Sequence, residues 1–283
     1  MSTATIAIPT PRRRDRFLAH PLVRAVLALL CVLVPMATVL GLSELVPKPL
    51  RAGWQLPLAA CAIVAGYSLY VRKIEKRALA ELSLPGAWRE LANGLGLGAL
   101  LVVVCTLIMF GSGVYSFTGM AQPGVLLKPL PEQVMVAFFE EILFRAIVFR
   151  LLEKSWGTTI AMLASTLLFI LAHLPNEGFS VLAAVMTGVA SAALAGAWLV
   201  TRRLWLPIGM HFAWNYLFDA FLSVPVSGHP ARGWVQVQAS GPEWLSGGAY
   251  GIEGSVVTLV AWGIAAVVLM RVAQRRGHWL LKP

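Results

Sequence analysis

The sequence predicts an all-α fold, a polytopic membrane helix bundle of about eight transmembrane helices with cytoplasmic N- and C-termini, and three observations carry that prediction. Of its 283 residues 58% are hydrophobic and 13% charged, about half the charge of an ordinary soluble domain. So few ionic groups cannot clothe a solvated surface, whereas hydrocarbon asks for none. Eight runs of about 20 residues carry few charges, the length that crosses a bilayer core of about 30 Å. The Lys and Arg residues between the runs fall almost entirely in alternate loops, as the positive-inside rule describes.

Taken in order, the first run (23–43) follows Arg12, Arg13, Arg14 and Arg16, which imitates a secretory signal; its length and the lack of a small-residue cleavage site make it a retained span. The second and third runs are 53–71 and 93–114. Between them Lys73 to Leu91 alternates charges with Leu and Ala, and reads either as an interfacial helix on the cytoplasmic face or as a short solvated connector. The remaining runs are 132–152, 157–174, 181–201, 204–224 and 250–270. The sixth carries Gly188, Ala192 and Gly196 at four-residue spacing, a smooth strip for close helix packing. Trp54, Trp205 and Trp279 near run ends read as interface anchors. No repeat, linker or soluble module divides the chain, so residues 1–283 form one membrane domain.

With the N-terminus inside, eighteen Lys and Arg residues fall on the cytoplasmic face and four on the outer face, Lys48, Arg51, Lys128 and Arg232, with Arg145 inside a span. The net charge of +10 is therefore a topology signal that brings attraction to acidic lipid headgroups, and nucleic acid is not an expected partner. Cys31, Cys61 and Cys105 lie in apolar runs at unrelated spacings and read as packing residues rather than a disulfide framework or metal site.

An ionisable group at the bilayer centre costs roughly 2.5–3.5 kcal/mol on insertion scales, so each one needs an account. The fourth run contains Glu140, Glu141 and Arg145. At 100° per residue Glu141 and Arg145 share a face one turn apart, within reach of an ion pair, and Glu140 points elsewhere. A structural lock accounts for the pair but leaves one carboxylate in surplus, a candidate general base. The fifth run ends at His173, and the seventh places His211 one turn before Asn215. A lone buried imidazole is ordinarily a hydrogen bonder between helices; two, with Asn and a surplus Glu on three spans, point to a site. Asp219 continues the His211 and Asn215 stripe, to orient an imidazole or to face water at the outer end. Glu253 enters the eighth helix as a polar contact at the mouth of the bundle. One feature strains this picture: at 1.5 Å per residue His173 lies about 24 Å beyond Gly157, near the outer end, while His211 lies about 10 Å from the inner start of its helix. A deep start or tilt of the fifth helix, or a re-entrant break at Pro175 and Gly178, would reconcile the two.

The ordered set Glu140-Glu141-x-x-x-Arg145, Phe169-x-x-x-His173 and His211-x-x-x-Asn215 resembles the CPBP intramembrane proteases, the type II CAAX prenyl endopeptidases and bacteriocin-processing or Abi proteins. The resemblance covers a motif core at residues 131–220, with Gly251-Ile252-Glu253-Gly254 as a weaker echo. It implies an eight-span endopeptidase with a conical cavity open to the cytoplasm. In that scheme Glu140 and His173 activate water, His211 and Asn215 stabilise the oxyanion, and Glu141 with Arg145 supports them. Carboxylate and imidazole are suited to take a proton from water, and imidazole and carboxamide N–H groups suit an oxyanion clamp.

No cofactor is expected. Zinc is the alternative, held by Glu140, His173 and His211 as an open two-His, one-Glu site, against which stands the absence of His-Glu-x-x-His. The expected substrate is a membrane-associated protein or peptide, and the expected location is a bacterial plasma membrane, as a multi-pass protein. A catalytically silent scaffold or immunity-type protein is the competing reading. A proton-coupled transporter is a third, which buried Glu, His and Asp would serve.

Overall fold

The computed structural model describes residues 20–51 and 53–281; the basic residues Arg12, Arg13, Arg14, Arg16 and Lys282 lie outside them. Among the described residues the chain forms eight long helices. Helix α1 spans Pro21–Ser43. Helix α2 spans Gln55–Leu69 and ends in a π-helical turn, Tyr70–Ile74. Helix α3 spans Ala87–Gly111. Helix α4, Leu130–Glu141, passes directly into π-helical turns at Ile142–Phe149. Helix α5 is Arg150–His173, but Gly157 breaks it with φ 78° and ψ 170°, so residues 150–156 still continue α4 and only 158–173 run back. Helix α6 spans Val181–Thr201. Helix α7, Trp205–Tyr216, ends in a π-helical turn, Leu217–Phe221. Helix α8 spans Val256–Arg275.

Local chemistry sets several boundaries. Ser180 caps α6 by accepting from the Ala183 N–H at 3.2 Å, and Ser255 caps α8 from Val257 at 3.2 Å. Helix α5 stops at His173 and a short turn over 174–179 returns the chain to α6. The break after His173 is therefore a tight turn and not a re-entrant segment.

Among the described residues four helices are long and apolar enough to cross a membrane: Leu22–Ser43, Ala87–Gly111, Val181–Thr201 and Val256–Arg275. The others fall short because π-helical turns, a glycine break or internal charges interrupt them. The eighth helix starts at Val256, so Glu253 sits in a preceding 3-10 turn, Ile252–Gly254, rather than in the helix as expected. The all-α expectation also missed a small antiparallel ribbon that pairs β1 (Tyr115–Met120), between α3 and α4, with β2 (Val235–Ala239), between α7 and α8.

The helices alternate between two ends of the bundle, one carrying residues 74–87 and 201–205, the other carrying the ribbon. At the first end the connector 75–86 is irregular, with Leu84 exposed and Glu81 buried. Neither an interfacial helix nor a solvated loop describes it. Arg77 pairs with Glu75 at 2.7 Å and Glu81 at 2.6 Å, and Arg150 reaches Glu75 at 2.8 Å, so a charge network ties the connector to the end of α4. Arg202 pairs with Glu153, and Arg203 donates to the Ser83 and Pro85 carbonyls. Trp205, expected as a lipid anchor, instead packs edge-on to Phe138 and donates to the Ser83 carbonyl at 2.9 Å.

Helices α3 and α7 run parallel and touch backbone to backbone. A methyl group on Gly98 would sit 2.5 Å from the Met210 carbonyl oxygen and 2.8 Å from the Ala213 Cβ, and one on Gly209 would sit 2.5 Å from the Leu91 carbonyl oxygen. Gly94 meets the same seam at Leu206. This glycine seam, absent from the reading of the sequence, decides where α7 stands. The predicted strip on α6 is looser: Gly188 faces Ile170 and Gly196 faces Leu269, each 3.0 Å from an added Cβ.

Candidate active site

Helix α4 delivers Glu140, Glu141 and Arg145 to the interior. Glu141 and Arg145 are fully buried, and the guanidinium donates to the Glu141 carboxylate at 3.1 Å, the i,i+4 pair expected from helix periodicity. Arg145 also donates to the Ser191 carbonyl at 3.1 Å and lies 4.9 Å over the Phe169 ring, so its charge is met on three sides, the condition for tolerating a buried cation.

Glu141 has a second partner that periodicity did not reveal. The Nδ1 of His211, on α7, lies 2.9 Å from the same carboxylate oxygen that receives Arg145. A carboxylate only accepts, so Nδ1 carries the proton. The other ring nitrogen then faces Glu140, Nε2 to Oε2 at 3.9 Å. One imidazole thus stands between the two carboxylates, and a protonated His211 with Arg145 would balance both. Glu140 itself keeps Oε2 buried without a hydrogen-bond partner among the described residues, as does Glu141.

His173 is set by its own helix. Its Nδ1–H donates to the Phe169 carbonyl at 2.8 Å and its ring stacks 4.4 Å from Phe169, which leaves Nε2 as an acceptor when the ring is neutral. The axial conflict between His173 and His211 disappears at this point. Phe169 packs against Phe144 at 4.8 Å and under Arg145, and α4 and α5 are antiparallel. Four residues onward on α5 and four back on α4 both rise about 6 Å toward the same end, so His173 comes level with Glu140 and Glu141.

Glu140, His173, His211 and Asn215 all line one cavity of about 340 Å³. The Asn215 side chain is half-buried and makes no hydrogen bond among the described residues. Asp219 lines the same cavity but touches neither imidazole, against one of the two expectations for it. Its carboxylate accepts from Gln133 at 3.0 Å and from Arg232 at 2.6 Å, and Arg232 also reaches Glu132 at 2.7 Å. Glu253 accepts from Trp214 Nε1 at 2.8 Å and from the Ser227 hydroxyl. It is a wall residue that holds α7 to the 3-10 turn before α8.

The reading of the sequence missed Gln133, Asn176, Ser227, His229 and Arg232 as cavity residues. Ser227, His229 and Arg232 lie in the irregular stretch after α7, where no periodicity marks a face; only the polar character of that stretch between two apolar runs hinted at them. Among the described residues no group of three His, Cys, Asp or Glu side chains is placed to hold a metal ion. The Nδ1 of each imidazole is engaged, that of His211 by Glu141 and that of His173 by the Phe169 carbonyl, which orients each ring and leaves its Nε2 for the cavity.

Residues 122–217 match the family model described as type II CAAX prenyl endopeptidase Rce1-like. The matched stretch runs from just before α4 into the end of α7 and contains all six predicted site residues. Neither a curated protein nor a solved structure matches the chain. Among the described residues, the segment similar to this family of proteases contains one of the four helices able to cross a membrane, Val181–Thr201, and the other three flank it.

Proposed function

We propose that this protein is an intramembrane endopeptidase that hydrolyses a peptide bond of a membrane-associated protein or peptide, in a multi-pass fold of eight crossings in a bacterial plasma membrane. The observation that carries the reading is the convergence of Glu140, His173, His211 and Asn215, from three different helices, on one cavity where a buried Glu140 oxygen has no hydrogen-bond partner among the described residues.

The chemistry follows from the atoms. A water held between the Glu140 carboxylate and the His173 Nε2 loses its proton to Glu140 and attacks the scissile carbonyl carbon. The tetrahedral oxyanion needs donors, and His211 and Asn215, one turn apart on α7, supply Nε2–H and the amide N–H. Since Nδ1–H already donates to Glu141, an Nε2–H makes His211 an imidazolium, and the adjacent carboxylate compensates that charge. Collapse of the intermediate expels the amine, which takes the proton from Glu140. Glu141 positions the His211 ring and Arg145 positions Glu141, so these two act through His211 rather than on substrate.

The test is a comparative peptide profile of membranes carrying the wild-type chain or Glu140→Gln. Loss of turnover by about 10³-fold or more, with an unchanged melting temperature and an accumulating precursor, is the expected outcome. It reflects removal of the base at a position that makes no hydrogen bond through Oε2. Identical profiles would favour the silent-scaffold reading and end the hydrolytic one.

A further inference from the structure

We infer that the cavity opens on the face of the membrane opposite the cytoplasm, so that its substrate is a polypeptide segment presented from the outer side; this rests on the peptidase reading for the substrate, though not for the direction of opening.

The direction comes from where the cavity is wet. Its deep wall, Phe144 and Leu194, is 6% and 3% exposed and sits on the packed layer that includes the fully buried Ala146, Phe149 and Ala197. The exposed part of the lining is elsewhere: the Glu132 and Arg232 side chains are 39% and 41% accessible and His229 is exposed. Glu132 is in the first turn of α4 and His229 and Arg232 follow α7, so the mouth is at the end of the bundle that carries the ribbon. The opposite end is shut by the Arg77, Glu75, Glu81 and Arg150 network and by Arg202 and Arg203.

Charge then says which end faces the cytoplasm. Among the described residues thirteen Lys and Arg side chains belong to the closed end and four, Lys48, Arg51, Lys128 and Arg232, to the mouth end. All the loops concerned are short, the condition under which the positive-inside rule applies. The closed end is therefore cytoplasmic. A cavity open to the cytoplasm, as the family resemblance implies, and a cytoplasmic basic end cannot both hold in this fold. The charge distribution is a property of this chain, whereas the resemblance is an analogy, and the charge distribution decides. The peptide bonds within reach are then those of outer segments, secreted peptides or the outward ends of membrane anchors, and a cytoplasmic C-terminal motif is out of reach.

The experiment is cysteine labelling on intact cells. In a chain with Cys31, Cys61 and Cys105 replaced, single cysteines are introduced as His229→Cys and Glu177→Cys at the mouth end and as Gln274→Cys at the end of α8. A membrane-impermeant maleimide is applied before and after permeabilisation. The expected result is labelling of the two mouth cysteines on intact cells and of the α8 cysteine only after permeabilisation. The reverse pattern, or mouth cysteines that label only after permeabilisation, overturns the inference. Two mouth positions keep the result readable if one variant fails to insert. Peptide profiles unchanged by Glu140→Gln would instead remove the peptidase reading and leave the labelling result standing, so the two failures are distinguishable.

Discussion

Gly98 offers the sharpest test of how packing controls the site, because it touches the peptide that precedes His211. An alanine Cβ there would lie 2.5 Å from the Met210 carbonyl oxygen and 2.8 Å from the Ala213 Cβ. Both neighbours are short and one is backbone, so no flexible side chain can yield. Helix α7 must move by at least about 0.5 Å to restore a 3.0 Å separation and by about 0.9 Å to reach ordinary contact at 3.4 Å. Overpacking of that size costs about 1–3 kcal/mol. A displacement approaching 1 Å of catalytic groups costs up to about 10²-fold in rate. Gly96, two residues earlier on the same helix, has nothing within 4 Å of an added Cβ. Both substitutions carry the same helix-propensity gain of about 1 kcal/mol, so their difference isolates the steric effect at the α3 to α7 seam. Gly96→Ala should keep or raise the melting temperature with full turnover of the precursor identified in Glu140→Gln membranes. Gly98→Ala should melt lower and turn that precursor over about 10- to 100-fold more slowly. Indistinguishable behaviour of the two variants in both assays would refute the claim that this seam positions His211 and Asn215.

Three further outcomes are expected. Glu141→Ala leaves Arg145 as a buried charge without its counter-ion, a loss of about 3–5 kcal/mol, whereas Glu140→Gln is nearly neutral in denaturation; equal stability losses for the two would contradict the separate roles assigned to them. Arg232→Ala frees Glu132 and Asp219 together and should speed proteolytic cleavage of the 222–234 segment in purified protein, an effect that Lys48→Ala should not share; wild-type protection in the variant counts against the clasp. Burial of the Glu75 carboxyl opposes its ionisation, but Arg150 and Arg77 outweigh that and hold its pKa below the usual 4.5. A carboxylate depressed on folding contributes stability that is present above its unfolded pKa and lost as pH falls through the folded one. Melting should therefore decline on acidification from about pH 4.5 downward, and Glu75→Gln should flatten that decline; parallel acid limbs for both proteins would dismiss the network as a stabilising element.

Within the site, the predictions that succeeded were short in range. The Glu141 and Arg145 pair is one helical turn, and periodicity alone placed both on one face. The stop after His173 came from Pro175 and Gly178, which cannot continue a helix. What the sequence could not show was which face meets which. Glu141 and His211 are 70 residues apart, and their meeting depends on the rotation of α7 about its axis. That rotation is imposed by glycines at 94, 98 and 209 that individually look like ordinary small residues in apolar runs. Asp219 was legible as a polar residue on the His211 stripe, yet its partner Arg232 comes from an irregular segment that no periodicity describes.

The sequence by itself determined the solvent this chain is built for, the approximate number and order of its helices, and the identity of the polar groups too costly to bury without purpose, since hydropathy, charge and helical spacing are local properties readable along the chain. Tertiary structure alone decided that Glu141 is shared between Arg145 and His211, that the connector after α2 is locked by buried ion pairs, and that the cavity is open at the end away from the basic residues. Those outcomes depend on how helices approach and turn against one another, a matter of shape complementarity between segments distant in sequence.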